Sequence, residues 1–250
     1  MQAEDFLLHY GKDEIRHGVL WENHCHAHFE LIAVLTGDVC ISLEGKEYRL
    51  GADNAIIIPP LCYHTVTANK KCTYLRLTAS FDEGAIPPVL RALFQKSEPQ
   101  PFATEPGQAQ RLRAILQEED RALYLPLLHS LMIQLLYTCV GSIRADSVGT
   151  ADPLLHRALL YIERHLCENP SLDEIAACIP CSKSFFCHRF QEKMRISPKQ
   201  YILQKRMALA AKLIREGTPP TEASLRVGYE NYSSFYRMYQ KHLQKIPSEE

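Results

Sequence analysis

The chain has 250 residues, 46% hydrophobic and 23% charged, with a net charge of −1. That length accommodates two ordinary domains with a core each, and the composition excludes a disordered or low-complexity protein. No apolar run is long enough to span a bilayer, and Met1-Gln2-Ala3-Glu4-Asp5 is acidic where a secretory signal is basic, so a cytoplasmic protein without a membrane partner is expected.

The near-neutral total hides an asymmetry. Residues 1–150 hold 13 Lys and Arg against 18 Asp and Glu, a net of −5, whereas residues 151–250 hold 15 against 11, a net of +4. A basic C-terminal part suits a binder of phosphate backbones. The nine cysteines are odd in number and lack framework spacing, so they read as reduced thiols. Cys178-Ile-Pro-Cys181 has no second pair, and burial beside a turn is the simpler reading.

Residues 1–85 read as β structure. Glu30 to Leu35 is apolar, Gly37-Asp38 turns, Val39 to Leu43 is β-rich, and Glu44-Gly45-Lys46 turns into Glu47 to Leu50. Ala55 to Ile58 is a buried strand stopped by Pro59-Pro60, and Cys72 to Thr78 is the last strand. Short strands at this spacing imply a small sandwich or barrel.

Residues 86–148 read as a helical linker. Val89 to Phe94 follows Pro87-Pro88, Gln108 to Glu119 forms a helix, and a second helix starts near Pro126 and runs to Val140. Its stripe of Leu128, Leu131, Met132, Leu135 and Leu136 must be covered, by the barrel, by a second subunit, or by both. Gly141 to Asp152 is a polar connection.

Residues 149–250 contain one pattern twice. Ser171-Leu172-Asp173-Glu174-Ile175-Ala176 precedes a run opened by Ser182 and ending Phe185-Phe186-Cys187-His188-Arg189-Phe190; about 49 residues later Asn231 opens Ser234-Phe235-Tyr236-Arg237-Met238-Tyr239. Two short helices joined by a tight turn, the second opened by a small polar cap, are a helix-turn-helix. Pro198 and Gly217 bracket a helix between the two copies. At 1.5 Å per residue it spans roughly 28 Å, enough to set two recognition helices about one DNA turn apart.

Two resemblances refine this reading. Gly18, five residues, His24-x-His26, three residues, Glu30, six residues and Gly37 resemble the first signature motif of the cupin family. Pro59-x-Leu61-x-x-His64 resembles the second, with Leu61 where glycine is expected. The resemblance implies a barrel in which His24, His26, Glu30 and His64 bind a small effector such as a sugar, or hold a divalent metal; both readings stay open. Strand alternation would aim His24, His26 and Glu30 to one face, and His28 with them, as pocket lining or as a structural group. Trp21, just before the motif, reads as barrel wall or as a platform for a sugar.

The C-terminal hundred residues resemble the AraC/XylS family of transcription regulators, through Ser171-Leu172-x-x-Ile175-Ala176, Ser182-x-x-Phe185-Phe186-x-His188-x-Phe190, Ser197-Pro198-x-x-Tyr201-Ile202, Arg206-x-x-x-Ala210 and Val227-Gly228-Tyr229. A cupin-like sensor and helical segment ahead of such a domain is that family's usual order. The resemblance implies an α+β protein with a cupin-like β-barrel, a dimerisation segment and an all-α domain with two helix-turn-helix motifs. It implies base reading by Ser184, Cys187 and His188 on the first recognition helix and by Tyr232, Ser233, Tyr236 and Arg237 on the second. Ser182, Lys183, Arg189 and Asn231 flank them, Lys183 and Arg189 as phosphate or surface charges. Arg195 and Gln244 stand where glycines usually end these helices, and Pro220, Ala223 and Ser224 leave the helix before Gly228 with little apolar surface.

These features imply a ligand-responsive activator that binds double-stranded promoter DNA, works as a homodimer with RNA polymerase and is not an enzyme. The alternative is a metal-dependent cupin oxygenase or isomerase with an appended DNA-binding module.

Overall fold

The computed structural model describes residues 24–68, 74–81, 101–105, 107–115, 121–143 and 152–249, with short strands at 8–9, 12–13 and 18–19. Trp21, Cys72, the helix expected at 89–94 and most of the connection at 141–152 lie outside the described residues.

The β-rich part comprises β1 (Leu8–His9), β2 (Lys12–Asp13), β3 (Gly18–Val19), β4 (Phe29–Thr36), β5 (Asp38–Leu43), β6 (Lys46–Gly51), β7 (Asn54–Ile58), β8 (His64–Ala68), β9 (Tyr74–Phe81) and β10 (Phe102–Ala103). Among the described residues they form two antiparallel sheets: β1-β9-β4-β7-β10 with β2 also on β9, and β3-β8-β5-β6. The expected barrel is thus built as two facing sheets.

β4 lies between β7 and β9 and is buried along nearly its whole length. Its alternation feeds two cores. Ile32 and Val34 meet Ile41, Leu50 and Val66 between the sheets. Phe29, Leu31, Ala33 and Leu35 face outward onto Leu112 of helix α1 (Gln108–Ile115) and onto Leu128, Leu131, Met132, Leu135 and Leu136 of helix α2 (Arg121–Ile143). The apolar stripe is therefore covered by the sheet. α2 begins five residues ahead of Pro126, which lies inside it; one missing N–H near a helix start is tolerated when so much apolar surface is buried.

The helical part contains α3 (Pro153–Arg164), α4 (Leu172–Ala177), α5 (Lys183–Met194), α6 (Pro198–Arg215), α7 (Pro220–Arg226) and α8 (Tyr232–Leu243). The 18 residues of α6 make a rod of about 27 Å. Its first half packs with Phe186, Phe190 and Ile175 through Tyr201 and Ile202; its second half packs with Phe235, Tyr239 and Val227 through Met207, Ala210 and Ala211. Leu209 touches both clusters, so one helix serves as a wall of each motif.

Candidate effector site and DNA-recognition surface

His24, His26, Glu30 and His64 converge. One ligand atom from each lies within 4.8 Å of the others. Glu30 enters on β4, facing inward with Ile32 and Val34, and His64 opens β8 opposite Leu43. The sequence places His24 and His26 on a strand, but only an isolated bridge forms there. His24 pairs with His64 through N–H donation to His64 C=O at 3.2 Å and the return bond at 2.9 Å, and residues 25–28 run irregularly into β4. His26 is held instead by its own carbonyl, which accepts from the Leu61 N–H at 2.7 Å.

The orientation of the rings is informative. Nδ1 of His26 faces the His28 carbonyl at 2.8 Å, and Nδ1 of His64 faces the Cys62 carbonyl at 3.0 Å. A carbonyl only accepts, so both Nδ1 atoms carry hydrogen. Both Nε2 atoms then face one carboxylate oxygen, Oε2 of Glu30, at 2.9 Å and 3.0 Å. In neutral rings these nitrogens present lone pairs, and two lone pairs do not rest against a carboxylate unless a proton or a cation lies between them. The donor set, with its backbone-oriented imidazoles, fits a divalent transition metal. Burial alone would raise the Glu30 carboxyl, but where His26 and His64 are protonated at Nε2 their hydrogen bonds and charge hold it well below the usual carboxylate range. His28 does not join the cluster; it stacks on His26 with centroids 3.9 Å apart, and burial together with His26 and Arg215 pushes it down to about 3.

The second surface is built by two capped helix pairs. Ser182 caps α5, its oxygen accepting from the Phe185 N–H, and Asn231 caps α8 by accepting from the Ser234 N–H. These two side chains hold the helix starts. Ser184 and His188 on α5, and Tyr232, Ser233 and Arg237 on α8, are exposed, and Tyr236 is partly so. Cys187 sits half-buried against the core. Lys183 pairs with Asp173 at 2.7 Å, and Arg189 bridges Asp152 at 2.8 Å and Glu192 at 3.0 Å, so both charges already have protein partners. Cys178 and Cys181 flank the first turn half-buried, with the Cys178 thiol donating to the Glu174 carbonyl.

Three residues escape the sequence reading. Phe185, on the outer side of α5, is 54% exposed beside Ser184. Its family pattern marks it only as aromatic, and its place in the first turn is the signal that could have found it. Glu44 and Lys205 pair at 2.6 Å although they belong to the β-rich and helical parts, and no local pattern announces that contact.

Comparison with known proteins agrees with both halves. Residues 9–161 match the family described as AraC-like ligand binding domain, and residues 175–250 match the one described as helix-turn-helix domain. The HTH-type transcriptional regulator YobQ of Bacillus subtilis is 24% identical over 223 residues, covering 89% of this chain and 85% of that protein. YdiP of Escherichia coli, another HTH-type regulator, is 33% identical over 99 residues, which span 39% of this chain and a third (33%) of YdiP. Among solved structures, a single-substitution variant of apo ToxT from Vibrio cholerae aligns with a TM-score of 0.48 at 11% identity, covering 98% of this chain and 96% of that one. With a ligand-binding family matched over more than half of the chain and a helix-turn-helix part behind it, the chain belongs to the AraC-type family of DNA-binding transcription regulators.

Proposed function

We propose that the chain activates transcription by placing α5 and α8 in successive major grooves of promoter DNA while the His/Glu quartet reports on a small polar effector. The observation that supports it best is the pair of capped recognition helices standing on one rigid spacer, each with exposed polar residues in its first turns. Ser184 and His188 read bases from α5; Tyr232, Ser233, Tyr236 and Arg237 read them from α8, with Arg237 suited to bidentate pairing with guanine. Lys183 and Arg189 contribute to phosphate contact only by exchanging their present carboxylate partners. In this reading residues 1–85 sense the effector, 86–148 connect and dimerise, and 149–250 bind DNA. Leu123, Leu127 and Tyr137, exposed on α2, form the homodimer surface, and a bound dimer recruits RNA polymerase.

The effector is a hydroxyl-rich molecule such as a sugar, held by His24, His26, Glu30 and His64 directly or through a divalent metal on the same four residues. A metal there would act as a Lewis acid toward the effector's oxygens. Gel-shift titration against duplexes selected by the protein from a random pool tests the DNA reading. Arg237→Ala should weaken binding by about 1–3 kcal/mol, and wild-type protein that retains no duplex at low salt would sink the proposal.

The quartet also favours a second reading, a metal-dependent oxygenase or isomerase. Stoichiometric metal that is lost in His26→Ala, together with turnover of a substrate, would select it.

A further inference from the structure

The tip of the β5–β6 hairpin does not end in solvent. Glu44 and Gly45 both have positive φ, +47° and +76°, which suits the two-residue turn of the hairpin, and the turn projects into the helical part. The Glu44 carboxylate accepts from the Tyr201 hydroxyl at 2.7 Å and pairs with Lys205 Nζ at 2.6 Å. Tyr201 and Lys205 are one turn apart on α6, with the ammonium 5.3 Å from the Tyr201 ring centre. Burial alone would lower the Lys205 ammonium, but Glu44 more than compensates and holds it charged. Gly45 fits by having no side chain: a Cβ there would lie 2.7 Å from Leu155 Cδ2 and 3.1 Å from Met194 Sδ.

The same hairpin is tied to the quartet. Glu44 N–H donates to the Tyr63 carbonyl at 2.8 Å, and Tyr63 N–H donates to Glu44 Oε1 at 2.9 Å. Tyr63 is the chain neighbour of His64, whose ring is held by the Cys62 carbonyl. The Tyr63 ring meets Tyr201 edge-on at 5.4 Å between centroids. Tyr63 thus links His64 to both sides of the Glu44 contact. The Tyr63 hydroxyl is buried with no protein hydrogen-bond partner, which makes the docked arrangement less than fully satisfied.

Charge gives the direction of the effect. The tip abuts the last turn of α5 at Lys193 and Met194, and docking brings a half with net charge −5 beside a recognition helix in a half of +4. An acidic body there opposes approach to phosphates.

We propose that Glu44 is an autoinhibitory latch: seated between Tyr201 and Lys205, it holds the DNA-binding half against the acidic effector half, and effector binding at the quartet withdraws it through His64 and Tyr63. The proposal rests on the quartet and recognition-helix reading above. The device is a two-state contact whose equilibrium a ligand biases.

Lys205→Met separates this from a purely electrostatic or structural role. Removing a positive charge should weaken DNA binding, whereas opening the latch should strengthen it. Full-length Lys205→Met is expected to bind the selected duplex at least about fivefold more tightly than wild type, the lower range of ordinary coupling between sites. Lys205→Arg should stay close to wild type. Gly45→Ala, which crowds the tip against Leu155 and Met194 and leaves every charge in place, should shift binding in the same direction as Lys205→Met. Unchanged or weaker binding by both Lys205→Met and Gly45→Ala overturns the latch. If no duplex is retained by any variant, the DNA reading fails, and small-angle scattering decides the latch alone: a larger radius of gyration in both variants supports it, and an unchanged one overturns it.

Discussion

A Cβ atom on Gly228 would lie 2.0 Å from the carbonyl oxygen of Cys167. Gly228 has φ +83° and sits in the turn of the second motif, while Cys167 lies in the segment between α3 and α4. The Arg206 guanidinium completes the contact. It donates to the Val227 carbonyl, reaches Asn169 Oδ1 at 2.6 Å and lies 4.4 Å from the centre of the Tyr229 ring. Arg206 is 5% exposed, so a buried cation joins the two motifs through its Nε and Nη1 donors. Gly228→Ala combines a backbone clash with a disfavoured φ, and a loss of about 2–4 kcal/mol is expected in urea unfolding. A loss below about 1 kcal/mol would show that the turn can shift away from Cys167.

Leu61, Arg195 and Gln244 share a conformation. Their φ values are +63°, +58° and +56°, the left-handed region in which a side chain costs roughly 1–2 kcal/mol. All three are positions where the family resemblance calls for glycine. Gln244 ends α8 with its N–H bonded to the Gln240 carbonyl, a bond that glycine keeps. Gln244→Gly is expected to stabilise the chain by about 0.5–1 kcal/mol, after allowing for the greater freedom of an unfolded glycine. Thermal unfolding measures it, and a lower melting temperature would count against the argument.

The two leading helices of the motifs are unequally supported. α4 has a reciprocal capping box between Ser171 and Glu174, and buries Ile175 and Ala176. α7 follows Pro219 without a side-chain cap and buries only Ala223 and Ser224, the latter donating to the Thr221 carbonyl. Amide exchange in DNA-free protein should therefore be faster across 220–227 than across 172–178, because local opening costs least where least apolar surface is buried. Equal protection in the two segments would refute this.

Asp152 couples α3 to the first recognition helix. One oxygen accepts from the Leu154 and Leu155 N–H groups and the other from Arg189 Nε. Burial raises its carboxyl, but the bonds from Leu155, Arg189 and Leu154 outweigh it and leave the group below the ordinary value. The folded state thus binds this proton less readily than the unfolded state, so the stabilisation is complete above about pH 4 and disappears as pH falls through the folded value. Asp152→Ala should cost about 1–2 kcal/mol at neutral pH and progressively less in acid. A constant difference from pH 7 down to pH 2 in denaturant titrations would contradict this assignment.

Much of this architecture is legible from local pattern. The runs ending at Leu43, Leu50 and Ile58 become strands because apolar periodicity and turn residues agree there. Two caps are equally plain: Ser182 and Asn231 open the recognition helices, as expected, whereas the caps Ser171 and Ser197 are seen only in the structure. β8 escapes because Thr65 and Thr67 dilute its apolar signal just after Pro59-Pro60. The quartet was readable as spacing, but not its mode of support, since His24 is held by pairing with His64 and not by a continuous strand. The Glu44–Tyr201 bond joins residues 157 positions apart, and nothing short-range in the sequence can announce such a contact.

Because Arg206 fastens the turn of one motif to the segment that leads into the other, and α6 forms a wall of both, the two reading heads are packed as one unit and are expected to move together. A unit that moves together cannot follow DNA that winds differently between its two contact patches. Inserting one base pair between the half-sites rotates them by about 35° and separates them by about 3.4 Å, and no hinge within α6 is available to absorb either change. A single helical phase is therefore expected, with operators that vary in base identity far more readily than in spacing.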